Sequence, residues 1–68
     1  MADPRLANGL KAARTRLGLT QADLADRVGV TRKTINTVEN GVFVPSTVLA
    51  LRLAKALGEP VEALFWLE

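Results

Sequence analysis

Cysteine and histidine are both missing from this 68-residue chain. Without cysteine, neither a disulfide nor a thiolate zinc site can staple a small fold. Without histidine, the commonest metal ligand and general base is gone. Tyrosine is absent too, and the aromatic residues are Phe43, Phe65 and Trp66. The one serine, Ser46, stands where it suits a helix cap, and the five glycines stand apart, so no glycine-rich phosphate loop exists. Asp23 and Asp26, three apart, read as a solvated pair rather than an acid–base pair. An enzyme is therefore not expected, nor is any cofactor, metal or small-molecule ligand. No apolar run reaches the roughly 20 residues of a membrane span, and no signal peptide is visible. The expected location is the cytoplasm, with no membrane partner.

What the chain does have is aliphatic. Hydrophobic residues make up 49% of it, which suits helices packed through Leu, Val and Ala. The length predicts one domain spanning residues 1–68, near the lower limit for a self-sufficient core. Such a chain relies on well-packed helices, on oligomerisation, or on both. Its charge is small but uneven. Residues 1–38 carry seven Lys and Arg against three Asp, leaving +4, whereas residues 39–68 carry two against four Glu, leaving −2. A cationic first half suits a polyanionic partner; the plain alternative is an unevenly charged soluble surface.

In chain order, Asp3-Pro4 predicts a helix start, with Asp3 as N-cap and Pro4 in the first turn. Leu6, Leu10, Ala13 and Leu17 follow at helical spacing and mark its buried face. Gly9 falls inside this helix and costs about 1 kcal/mol there relative to Ala. Gly18 ends it. Thr20 then caps a second helix, with the Asp23 carboxylate turned back toward its start. Leu24, Ala25 and Val28 form its apolar stripe, and Gly29 supplies the positive φ that stops it. Thr31 caps a third helix with Ile35 and Val38 inward, closed by Asn40-Gly41. Val42 to Pro45 read as a loop, and Ser46 caps a fourth helix with Ala50, Leu53, Ala54 and Leu57 on its core face. Glu59-Pro60 opens a last short helix through Val61 and Leu64. The fold class expected is all-α, a compact five-helix bundle with at most a short extended C-terminal tail.

Residues 20–39 have the spacing of a helix-turn-helix. Gln21, Leu24, Ala25, Gly29, Val30, Thr31-Arg32, Thr34-Ile35 and Val38-Glu39-Asn40-Gly41 together resemble the Cro and phage-repressor (XRE) family of DNA-binding proteins. The resemblance runs over about residues 5–65 and strings many positions at fixed spacing. It implies a lambda-repressor-like bundle of the small stand-alone type, and a sequence-specific transcriptional regulator that binds double-stranded DNA. It also implies that Arg14 pairs with Glu39, bridging the first helix and the end of the third, which makes Arg14 structural before it is a DNA contact.

The third helix, about residues 31–39, is expected in the major groove, where base edges carry distinguishable donors and acceptors. Arg32, Lys33, Asn36 and Thr37 are the expected base contacts. Arg32 or Lys33 suits guanine, Asn36 suits adenine or a phosphate, and Thr37 suits a thymine methyl. Expected phosphate contacts are Gln21, which by resemblance also braces the recognition helix, with Thr31, Thr34, Asn40 and Phe43. The loop amides after Asn40 are expected to join them at the groove edge. Capping is the competing role for Thr31 and Thr34, and Arg16 and Arg27 are either phosphate contacts or plain surface charges.

Val48, Leu51, Phe65, Trp66 and Leu67 are apolar residues left over from the helical core faces, and together they predict a homodimer interface. The competing reading folds Phe65 and Trp66 back over the monomer core. A two-fold dimer would set two recognition helices on a pseudo-palindromic operator. The rival function is a protein-interaction module on the same fold, antitoxin-type or adaptor, whose main partner is another protein.

Overall fold

The computed structural model describes residues 5–68. Its elements run β1 (Leu6–Asn8), α1 (Leu10–Arg16), α2 (Gln21–Val28), α3 (Arg32–Glu39), α4 (Thr47–Leu57), α5 (Val61–Leu64) and β2 (Phe65–Leu67). Five helices make up the bundle, as the all-α reading expects. The addition is a two-stranded antiparallel sheet, with Leu6 opposite Leu67, Ala7 opposite Trp66 and Asn8 opposite Phe65.

That sheet replaces the first turns of the expected first helix. The Asp3-Pro4 start lies outside the described residues, but Leu6 belongs to β1 and the helix begins only at Leu10. Gly9 is therefore the residue before the helix rather than one inside it. Its missing side chain leaves room for Trp66, whose ring would stand 3.4 Å from a Cβ at that position. Leu17, expected in the core, is the C-cap residue and is exposed. The extended tail is also no loose end, since it is the second strand of the pair.

The helices between follow their local signals. Thr20 and Asp23 form a reciprocal capping box: the Asp23 N–H donates to the Thr20 hydroxyl and the Thr20 N–H donates to the Asp23 carboxylate. Gly29 ends α2 at φ +76°, and the Gly29 and Val30 amides both donate to the Ala25 carbonyl. Ser46 caps α4 by accepting from the Leu49 N–H. Leu49, rather than Ala50, leads the buried face of α4, with Leu53 and Leu57 below it.

One core joins these elements. Leu10 and Ala13 of α1 meet Leu24, Ala25 and Val28 of α2, Ile35 and Val38 of α3, the three α4 leucines and Leu64 of α5. Among the largest of these side chains, Leu10, Leu24, Ile35 and Leu53 are fully buried. Each such burial contributes on the order of 2 kcal/mol, which offsets the conformational entropy lost in ordering so short a chain. The core fixes the inner faces of α2 and α3. Their outer faces stay exposed.

Candidate nucleic-acid interface

The site grows out of the α2–α3 turn. Gly29 reverses the chain after α2, and Thr31 restarts it by accepting a hydrogen bond from the Thr34 N–H. The stretch is too short to form a stable helix pair alone, so burial of Ile35 and Val38 sets how α3 is rotated. With those two inward, Arg32, Lys33 and Asn36 are exposed, while Thr34 and Thr37 are half-buried. Among the described residues the ion pairs are Arg14–Glu39 and Arg16–Glu59. Both cations at the start of α3 thus remain available to an outside anion.

Behind the exposed face runs a continuous polar chain. The Arg14 Nε donates to Glu39 Oε2 at 2.7 Å and its Nη2 to Oε1 at 3.1 Å, a bidentate pair. Its remaining Nη1 donates to the Leu19 carbonyl at 2.9 Å. The hydrogen bond to Glu39 holds the Arg14 pKa above its ordinary value, against the opposing effect of burial. Gln21 of α2 continues the chain, its Nε2 donating to Glu39 Oε1 at 3.1 Å and to Asn36 Oδ1 at 3.3 Å. Asn40 Nδ2 donates to the same Asn36 oxygen at 3.2 Å. The arrangement ties α1, α2 and α3 together through the last turn of α3, and leaves its first turn facing outward.

These bonds orient Asn36. An amide oxygen offers two lone pairs, and Gln21 and Asn40 take both. The Asn36 amino group is then the part left to meet a ligand, so the residue acts as a donor. Thr31 and Thr34 are occupied as well, their hydroxyl oxygens lying 3.0 Å apart over the helix start. The Thr37 hydroxyl donates to the Thr34 carbonyl.

The loop after α3 departs from expectation. The Gly41 amide donates to the Val38 carbonyl, and the Val42 and Phe43 amides both donate to the Thr37 carbonyl. They close the helix end, so they are not free to receive a phosphate. Phe43 itself stays exposed beside this closed loop, as does Asn40.

The leftover apolar residues divide. Phe65 is half-buried against the core, as the fold-back reading has it. Val48, Leu51 and Leu67 are 60, 55 and 66% exposed. Trp66 does some of each, lying over Gly9 while keeping nearly half its surface open. One polar residue passed over in the sequence is Asn8, which reaches from β1 to the end of α3: its Nδ2 donates to the Val38 carbonyl at 3.0 Å and, more weakly, to Glu39 at 3.4 Å. On the sequence alone the first helix runs through Asn8 and Gly9, and within that helix nothing marks Asn8 as a contact to α3.

A helix-turn-helix family model matches residues 10–64. The chain belongs to that family. It is the Cro and phage-repressor (XRE) type, and the match spans all five helices. A relative from Bacillus subtilis, named as an uncharacterized HTH-type transcriptional regulator, YgzD, is 44% identical over 63 residues, covering 93% of this chain and 96% of the relative. Another HTH-type regulator, from Methanothermobacter thermautotrophicus, is 52% identical over 60 residues and 87% of both chains. Among solved structures, the restriction-modification controller protein C.AhdI from Aeromonas hydrophila superimposes with a TM-score of 0.75. It shares 37% identity and is matched over 82% of its length by 79% of this chain. The helix-turn-helix of this chain is α2, the Gly29 turn and α3. Among the described residues, no helix is long and apolar enough to cross a membrane.

Proposed function

We propose that this helix-turn-helix protein is a transcriptional regulator that binds specific sites on double-stranded DNA, as a homodimer, with α3 in the major groove. The observation that carries the reading is the outer face of α3. Arg32 and Lys33 stand exposed at its start and, among the described residues, without ion pairs; Asn36 follows one turn on as a fixed donor, and the helix is braced from behind by Glu39, Arg14 and Gln21. A rigid helix presenting donors and positive charge suits the acceptor-rich edge of guanine and the phosphates on either side. The regulators named among its relatives and the controller protein it resembles support the same reading.

Within that reading, Arg32 and Lys33 contact bases. Asn36 donates to a base acceptor or a phosphate, because bidentate pairing with adenine would require it to give up a bond from Gln21 or Asn40. Thr37 lines the same surface, and Gln21, Thr31, Thr34, Asn40 and Phe43 lie at its margin. One helix reads few base pairs, so two copies related by a two-fold axis would place their α3 helices about 34 Å apart on a pseudo-palindromic operator. Exposed Val48, Leu51 and Leu67 supply an apolar surface for that pairing. A protein-interaction role draws on the same patch with a foreign partner, and sizing of the pure protein separates the two: a stable homodimer takes the patch. The chain is proposed to act as one domain in the cytoplasm, without catalysis.

The test is a selection of binding sites from random duplexes, followed by titration of the selected duplex. Arg32→Ala and Lys33→Ala are each expected to weaken binding about tenfold or more, with unchanged thermal midpoints and a shallower salt dependence. Full-strength binding by both variants defeats the proposal.

A further inference from the structure

Asn8 is engaged in two directions at once. Its Oδ1 accepts from the Leu10 N–H at 3.2 Å, serving the first turn of α1. Its Nδ2 donates to the Val38 carbonyl at 3.0 Å and approaches the Glu39 carbonyl at 3.4 Å, thirty and thirty-one residues away. Carbonyls in the last turn of a helix lack partners within it, so these contacts attach α3 at the end remote from Arg32 and Lys33. The backbone of Asn8 is itself fixed, because it closes β1 opposite Phe65 and the next amide, Gly9, donates to the Leu64 carbonyl at 2.9 Å. The strand pair thus holds Asn8, and Asn8 holds the end of α3.

Three side chains converge on that last turn from three elements. Arg14 comes from α1, Gln21 from α2 and Asn8 from β1. Arg14 and Gln21 both grip the Glu39 side chain, which has its own rotatable bonds. Asn8 alone of the three grips the α3 backbone. A side chain on the main chain restrains rotation and translation of the helix more directly than one on a flexible carboxylate. α3 has only two full turns, so a small tilt at its last turn shifts the Arg32 and Lys33 ends across base edges.

We propose that Asn8 is a positioning residue for DNA recognition, through which the β1–β2 pair sets the orientation of α3 and hence its discrimination among sequences. The proposal rests on the DNA-reading role given above to α3. It places the determinant of specificity partly in a strand pair outside the helix-turn-helix.

Two variants separate the two duties of Asn8. Asn8→Ala removes both. Asn8→Asp keeps an oxygen to accept from Leu10 and puts a carboxylate where the N-terminus of α1 favours one. The same change removes the donor and sets a negative charge against the carbonyl end of α3, where it is unfavourable. Affinity is measured for the selected duplex and for a scrambled duplex of equal length, at a temperature where circular dichroism shows each variant fully folded. The added negative charge of Asn8→Asp weakens both duplexes together and cancels in their ratio. The ratio of selected to scrambled affinity is expected to fall roughly five- to tenfold in both variants. In the free protein, the Gly41, Val42 and Phe43 amides are expected to exchange faster with solvent in Asn8→Asp, while the α1 amides exchange as in the wild type. An Asn8→Asp ratio equal to that of the wild type overturns the proposal, and so does a loss confined to Asn8→Ala, which would make Asn8 a cap of α1 only. A wild type that itself shows no preference between the duplexes overturns the DNA reading, and this proposal as a statement about recognition falls with it.

Discussion

Removing the Arg14 guanidinium strands the Glu39 carboxylate, whose side chain keeps only 4% of its surface exposed. Gln21 still donates to it, but one neutral amide does not replace a bidentate cation. Arg14→Ala is therefore expected to cost about 3 kcal/mol of folding stability, read from urea unfolding; a loss indistinguishable from zero would show that the pair contributes nothing net. Asp23 gives a prediction in pH. The Thr20 backbone N–H, and then its hydroxyl, hold the Asp23 carboxyl below its ordinary 3.8. A carboxyl that ionises more readily in the folded chain stabilises the fold above its unfolded pKa, and that contribution fades as pH falls through the folded value. The stability gap between wild type and Asp23→Asn should then be constant above roughly pH 5 and shrink as the solution is acidified further; a gap that ignores pH refutes the coupling. Both residues were legible from the sequence, Asp23 by its three-residue distance from Thr20 and Arg14 through the family resemblance. Asn8 was not, because its partners at Val38 and Glu39 become neighbours only after the chain has folded.

Elements whose signals are local came through intact. The α2–α3 turn is one, built from Thr20, Gly29 and Thr31 over a dozen residues. Gly29→Ala at φ +76° meets no side chain closer than Arg52 at 4.0 Å. Its cost should therefore be backbone strain alone, about 1–2 kcal/mol, seen as a lowered thermal midpoint with duplex affinity kept in the folded fraction. A larger loss, or lost affinity in the folded protein, would mean that the turn does more than reverse the chain. Leu6 was misplaced for the converse reason. Its four-residue distance from Leu10 satisfies a helical period, but so short a run also fits a strand, and the strand's partner lies about sixty residues on. The candidate face of α3 shows the same division. The exposure of Arg32, Lys33 and Asn36 follows from the Ile35–Val38 stripe, whereas the internal use of the loop amides depends on how the chain leaves α3.

At the scale of the whole molecule, Val48 and Leu51 of α4 and Leu67 of β2 remain exposed, off the buried face that Leu49, Leu53 and Leu57 form. Leu51→Asp changes an exposed position, so the protomer should keep its fold. Sedimentation at micromolar concentration should then show a monomer where a dimer is expected of the wild type, with affinity for a two-half-site duplex reduced about a hundredfold as the linked contacts are lost. A Leu51→Asp dimer would move the interface elsewhere. Hydrophobic surplus in the sequence pointed to this surface, but only the packing showed that Phe65 belongs with the monomer and Leu67 with the outside.

The pairing of residues 6–8 with 65–67 also bears on synthesis. Each of the helices α1–α5 must have been made before β1 finds its partner, so the bundle closes only once residues 65–67 have been synthesised. A copy halted before residue 65 would carry the whole α2–α3 unit yet lack the strand paired with Asn8, and on the role proposed for Asn8 such a fragment would tell one duplex from another poorly.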